Sequence, residues 1–169
     1  MSGLGMTPTK ARDAVPADTE PLARLWYAGW QDAHRGVLPE ELAKVRTYEH
    51  FLERLSLAPD HLRVVGTEGD PLGFSLCDGD ELNQFYVDAR SRGSGLAQLL
   101  IADAETKLAE RSVETAWLAC AIGNERAARF YEKCGWHRAC IYTSQLVLPD
   151  GVFALDVWRY EKRLAQIDG

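Results

Sequence analysis

The sequence has no apolar run long enough to cross a bilayer, no secretory leader and no block of lysine and arginine. Without such a run no membrane span is predicted. Without a leader the chain reads as cytoplasmic. Without a basic block it lacks the electrostatic footprint of a nucleic-acid binder. Cysteine is sparse: Cys77, Cys120, Cys134 and Cys140 form no C-x-x-C pair. That excludes the common disulfide frameworks and zinc sites, and predicts free thiols in a reducing compartment and no metal. Each cysteine is expected to act as a small hydrophobe. What is present is ordinary for a globular protein. Of 169 residues, 46% are apolar and 26% charged, with a net charge of -6. One domain over residues 10–165 is expected, after a flexible segment 1–9 rich in Gly, Thr, Met and Pro.

Two of the 14 glycines sit in the most informative stretch, Glu81 to Ile101. Leu82, Phe85 and Val87 favour a strand. Gly93 and Gly95 permit a tight turn. Leu96, Leu99, Leu100 and Ala104 then recur at helical spacing. Amides at a helix start lack intrahelical partners and sit at the positive end of the dipole, so the turn is suited to an anion such as phosphate. No Lys-Ser or Lys-Thr follows the glycines, which excludes a P-loop. Gln98 stands where a dinucleotide-binding turn needs Gly or Ala. The spacing Arg90-Ser-Arg-Gly93-Ser-Gly95 fits a third pattern, Q/R-x-x-G-x-G/A.

A second stretch comes after a strand predicted over Thr115–Ile122. It runs Gly123-Asn-Glu-Arg-Ala-Ala-Arg-Phe-Tyr-Glu-Lys-Cys-Gly-Trp136. Asn124 is a good N-cap and Gly135 a natural stop. The stretch is similar to N-x-x-A-x-x-F-Y-x-x-x-G-F, with Trp136 in the last aromatic place. Together the two stretches resemble the pyrophosphate loop and second signature of the GNAT N-acetyltransferase superfamily. The resemblance covers residues 60–147 well and the first 60 loosely.

Taken in order, Lys10–Val15 is expected as a strand. A helix is expected from the Asp18 cap to about Ala33, with Leu22, Leu25, Trp26 and Trp30 on its apolar face. A second helix is expected from Pro39 to Leu57, ended by Pro59. Strands His61–Thr67 and Leu72–Cys77 form a hairpin that leads into the strand from Glu81. Two more strands, Arg138–Val147 and Val152 to about Arg163, close the chain. The order β-αα-βββ-α-β-α-ββ predicts an α/β fold with a mixed, twisted sheet of about seven strands and helices on both faces, as in the GNAT fold.

The resemblance implies a set of roles. Gly93, Ser94, Gly95, Leu96 and Ala97 would give amides to the pyrophosphate of acetyl-CoA, with Arg92 favoured over Arg90 for added charge. Phe85, Tyr86 and Val87 would present backbone to the pantetheine arm, and Asn124 would touch it. Tyr131 takes the place of the family's general acid, which protonates the departing thiolate. For the base, relatives that acetylate ribosomal-protein N-termini carry a Glu where this chain has Ala119. Glu81 and a water relay therefore both stand as candidates, with His34 and His137 behind them. Tyr27, Trp30, His34 and Arg35 fall where the family places the acceptor wall. The implied activity is direct transfer from acetyl-CoA to a primary amine of a small molecule. A protein N-terminus or lysine, or a non-catalytic acyl-CoA-binding module, are the alternatives. A monomer or homodimer is expected.

Overall fold

The computed structural model describes residues 10–57 and 61–165. The expectations for residues 1–9 and for Pro59 lie outside them. Seven strands form one mixed sheet: β1 (Arg12–Asp13), β2 (Leu62–Thr67), β3 (Asp70–Asp78), β4 (Glu81–Val87), β5 (Thr115–Ala121), β6 (His137–Leu148) and β7 (Gly151–Arg163). Their spatial order is β1-β2-β3-β4-β5-β7-β6. All neighbours are antiparallel except β4 and β5, which are parallel and meet only at Glu81 and Trp117.

Among the described residues, five α-helices accompany the sheet: α1 (Thr19–His34), α2 (Glu40–Val45), α3 (Tyr48–Ser56), α4 (Leu96–Glu110) and α5 (Glu125–Lys133). On one face Leu22 and Trp26 of α1 and Phe51 and Leu55 of α3 cover Val64 and Phe74 of the sheet. The Trp26 ring stacks on Phe51 at 4.6 Å. On the other face Ile101, Ala104 and Leu108 of α4 pack with Ala128 and Tyr131 of α5 over Leu118 and Tyr160. Each large apolar side chain fully buried in these layers contributes about 1.5–3 kcal/mol.

Three expectations need correction. The helix expected over 39–57 is two helices, because the Thr47 hydroxyl accepts the His50 amide at 3.1 Å and starts α3 anew. This cap outweighs a continuous apolar stripe. The first strand shrinks from Lys10–Val15 to Arg12–Asp13. Asp18 does not cap α1. It is fully buried, receives two bonds from Arg12 at 2.8 and 3.0 Å, and accepts the amides of Val15 and Gly69. It thereby ties β1, the start of α1 and the β2–β3 turn together.

The regular pairing of β4 is broken by a bulge. Leu76 pairs with Gln84 and Cys77 with Leu82, so Asn83 is the extra residue. The bulge rotates the strand by one place. Leu82 and Phe85 therefore both pack toward α4 and α5, while Tyr86 packs toward α1.

Candidate active site

Beyond the rung at Glu81 and Trp117, β4 and β5 diverge. Their facing backbone groups at Phe85–Val87 and Ala119–Ala121 have no partner strand, and they border a groove of about 650 Å³. Unpaired amides and carbonyls cost free energy unless a ligand or water satisfies them. The groove runs from Asn83 and Gln84 to the glycine loop before α4.

That loop fits an anion. Gly93 and Gly95 have φ of +79° and +89°, a region L side chains rarely adopt, and the space beside each is open. Ser94 turns inward, its hydroxyl donating to the Ser91 carbonyl. Among the described residues, the amides of Gly93, Gly95, Ala97 and Gln98 donate to no protein acceptor. The first turn of α4 carries no acidic residue. These are the donors and the field that a pyrophosphate requires. Unpaired backbone on both strands suits an extended, amide-bearing arm such as pantetheine.

Most of the predicted cofactor residues reach the groove. Phe85, Tyr86, Val87, Arg92, Gly93 and Gly95 line it, as do Ala97, Asn124 and Tyr131. Ser94 and Leu96 do not; Leu96 is buried in the core. Arg92 lies at the groove mouth, whereas Arg90 turns away to Asp70 and Asp88. Asn124 accepts the Ala127 amide at 3.4 Å, capping α5 while lining the groove.

Sequence reasoning missed the partner of Arg92. Asp32 on α1 accepts on one oxygen, Oδ2, from Arg92 and from Arg126 of α5, each at 2.6 Å. The bonds from Arg126 and then Arg92 hold the Asp32 carboxyl below its usual range. No local motif marks this cluster, because 94 positions separate Asp32 from Arg126.

Tyr131 stands inside the groove wall, ringed by Phe85, Phe130, Trp136 and Tyr160. Burial, helped by Cys120 and Tyr86, raises its phenol well above the ordinary value. The phenol therefore keeps its proton at neutral pH, as a general acid must. Cys120 also lines the groove, but burial pushes its thiol up to about 12. A thiol so held is a poor nucleophile, which disfavours a covalent acyl-cysteine.

Glu81 is half-buried and does not line the groove itself. Its carboxylate accepts from Asn83 Nδ2 at 3.1 Å, and Asn83 lines the groove. Burial, with Asp78 and Asp80, raises its pKa. Ala119, the other position weighed for a base, lies on the groove wall with no acid to offer. His34 lines the groove; its Nδ1 sits 3.1 Å from the Trp30 carbonyl, which fixes the ring as an Nδ1–H tautomer and leaves Nε2 to accept. Burial lowers it to about 4. His137 opens β6 on the surface, away from the groove.

The remaining acceptor-wall candidates fall elsewhere. Trp30 is a core residue that backs His34 at 4.9 Å. Tyr27 and Arg35 border a separate shallow depression with Gln31. Tyr27, Gln31 and Arg35 are spaced four apart on α1 and so fall together along it.

The site is thus a mixed sheet opened between two parallel strands, with the start of α4 bordering the gap. The chain belongs to the Acetyltransferase (GNAT) family, whose sequence model matches residues 23–136. No curated protein sequence matches it. Its fold is shared by a GCN5-related N-acetyltransferase from Rhodopseudomonas palustris, at 20% identity and TM-score 0.71, over 94% of this chain and 96% of that one. The PaiA N-acetyltransferase of Thermoplasma acidophilum, solved with coenzyme A, is 17% identical with TM-score 0.66, over 91% and 98%. A phosphinothricin acetyltransferase from Sinorhizobium meliloti, solved with acetyl-CoA, is 16% identical with TM-score 0.66, over 94% and 89%.

Proposed function

We propose that this protein is an acetyl-CoA-dependent N-acetyltransferase that acts on a small primary amine by direct attack. One observation carries the reading: a buried phenol, Tyr131, on the wall of a groove whose other end is an amide-lined anion site. Acetyl-CoA would supply the acyl thioester. The loop amides of Gly93, Gly95 and Ala97 bind its phosphates, and the open edges of β4 and β5 orient its arm. Tyr131 donates its proton to the sulfur as the carbon–sulfur bond breaks and the nitrogen–carbon bond forms. The amine must first lose a proton, since amines of this kind are charged at neutral pH. Glu81 takes that proton by way of water, and the proton the amine nitrogen sheds on transfer returns to Tyr131 through solvent. The high thiol pKa of Cys120 supports direct attack over a two-step route.

Thermal melting with acetyl-CoA tests the binding half, because a ligand that binds only the folded chain raises its melting temperature. Gly95→Asp should abolish that rise by placing a carboxylate where the phosphates sit. Thiol release over a panel of amines tests the transfer half. An absent melting shift would sink the reading. Release with peptide N-termini alone would move the acceptor to protein.

A further inference from the structure

Five arginines are half-buried: Arg12, Arg46, Arg54, Arg63 and Arg159. Arg12 pairs with Asp18, Arg63 with Asp103 and Arg159 with Glu161. Arg46 and Arg54 have no carboxylate partner among the described residues. The other arginines without one, such as Arg24 and Arg35, are exposed and solvated. A cation drawn out of water without a counter-ion is costly, and a second cation beside it adds repulsion. Burial and the charge of Arg54 both work against the charged form of Arg46.

Neither arginine lines the groove itself, but each acts on residues that line it away from the glycine loop. Arg54 Nη2 donates to Asn83 Oδ1 at 3.4 Å, and Gln84 Nε2 donates to the same oxygen at 3.2 Å. Asn83 and Gln84 line the groove. Arg46 lies against His50 at 3.2 Å, and its charge acts on His34 and Tyr86, both groove residues. Arg54 acts on the same Tyr86 phenol. Its guanidinium rests 5.0 Å from the Trp26 ring centroid, which fixes its plane without neutralising it. Glu81, one bond behind Asn83, is the acidic group that Arg54 feels.

We infer that Arg46 and Arg54 form an oxyanion site for the acceptor, so that the substrate is a small zwitterion: an amine with a carboxylate, or the matching phosphonate, within a few bonds. This deepens the proposed transfer activity and rests on it for the word acceptor. Paired guanidinium forks suit planar or tetrahedral oxyanions, and a substrate acid group supplies the counter-charge the fold omits. The ammonium end then lies toward Glu81, the group able to receive its proton. Plain polyamines, which carry only positive charge, are disfavoured at this end of the groove.

The test uses product-like probes, so that it does not depend on turnover. Calorimetry with coenzyme A present would compare N-acetylglycine, N-acetyl-L-methionine and N-acetyl-L-phenylalanine with their carboxamides, and with (acetylamino)methylphosphonate. At least one acid should bind about tenfold or more tighter than its amide, the share of a charge-assisted bond. Arg54→Gln and Arg46→Gln should each narrow that gap to about threefold or less, leaving coenzyme A affinity unchanged. A tighter phosphonate than carboxylate would identify the acid group. Arg54→Lys keeps charge but breaks the fork; a narrowed gap there serves if the Gln variants fold poorly. Equal binding of acids and amides, binding of no acid, or a gap that survives every variant would overturn the inference. Acid binding without acetylation of any amine would instead sink the transfer reading and leave the oxyanion site standing.

Discussion

Asp32 and Arg92 meet at 2.6 Å across the mouth of the groove, and the same Asp32 oxygen also receives Arg126. A carboxylate thus occupies both guanidinium groups that line the groove. Asp32→Asn should free them for phosphate and tighten coenzyme A binding by a few-fold, the modest scale expected for exposed pairs. The gain should shrink in high salt. Calorimetry at two ionic strengths measures this. Weaker binding in Asp32→Asn would mean that Asp32 holds the arginines in place for the ligand.

Tyr131→Phe keeps the ring in its aromatic cage and removes the proton. Turnover should fall by about 10²–10⁴-fold, with acetyl-CoA affinity little changed. Steady-state rates under conditions where chemistry limits turnover, beside a binding titration, separate the two. Full activity would reduce Tyr131 to a packing residue.

Glu81 predicts a pH profile. Its pKa is raised by burial, so as pH falls through that value the base becomes protonated and the rate drops, at a higher pH than for an exposed glutamate. Glu81→Gln should lower the rate most below the pKa of the amine and recover part of it at high pH. A small effect at every pH would assign the base to a water relay.

Asp18 predicts stability. Burial pushes its pKa up, but bonds from Arg12 and from the Val15 and Gly69 amides outweigh burial and leave the pKa lowered. The folded value is below the unfolded one, so the pair stabilises fully above the unfolded pKa near 4 and loses this as pH falls through the folded pKa. Asp18→Ala strands a half-buried guanidinium and should cost about 3 kcal/mol. Urea melts at pH 7 and pH 3 would read both. Unchanged stability at pH 7 would refute the role.

Much of the fold was legible because its elements are locally consistent. The period-2 runs at β2 to β5 and the helical stripe after Gly95 each carried their own stop signals. The break at Thr47 was not, since an apolar stripe continued through it and only the cap interrupts it. The anion loop was legible, as its glycines and helix start are adjacent in sequence. The acceptor end was not. Arg46 and Arg54 come from the second helical region, and Arg54 meets Asn83 at the residue that the bulge in β4 adds to the strand. Trp30 and His34 share a helix turn, so spacing alone did not tell which would face the groove and which the core.

A single rung joins β4 to β5, so the seven-stranded sheet is mechanically two leaves, β1 to β4 and β5 with β7 and β6, hinged at Glu81 and Trp117. A ligand lying between them would act as a missing strand and close the seam. Its presence would then be written in the protection of backbone amides along both inner edges against solvent hydrogen exchange, as well as in affinity. The cooperative unit of unfolding would change with occupancy, from two leaves that open separately to one body.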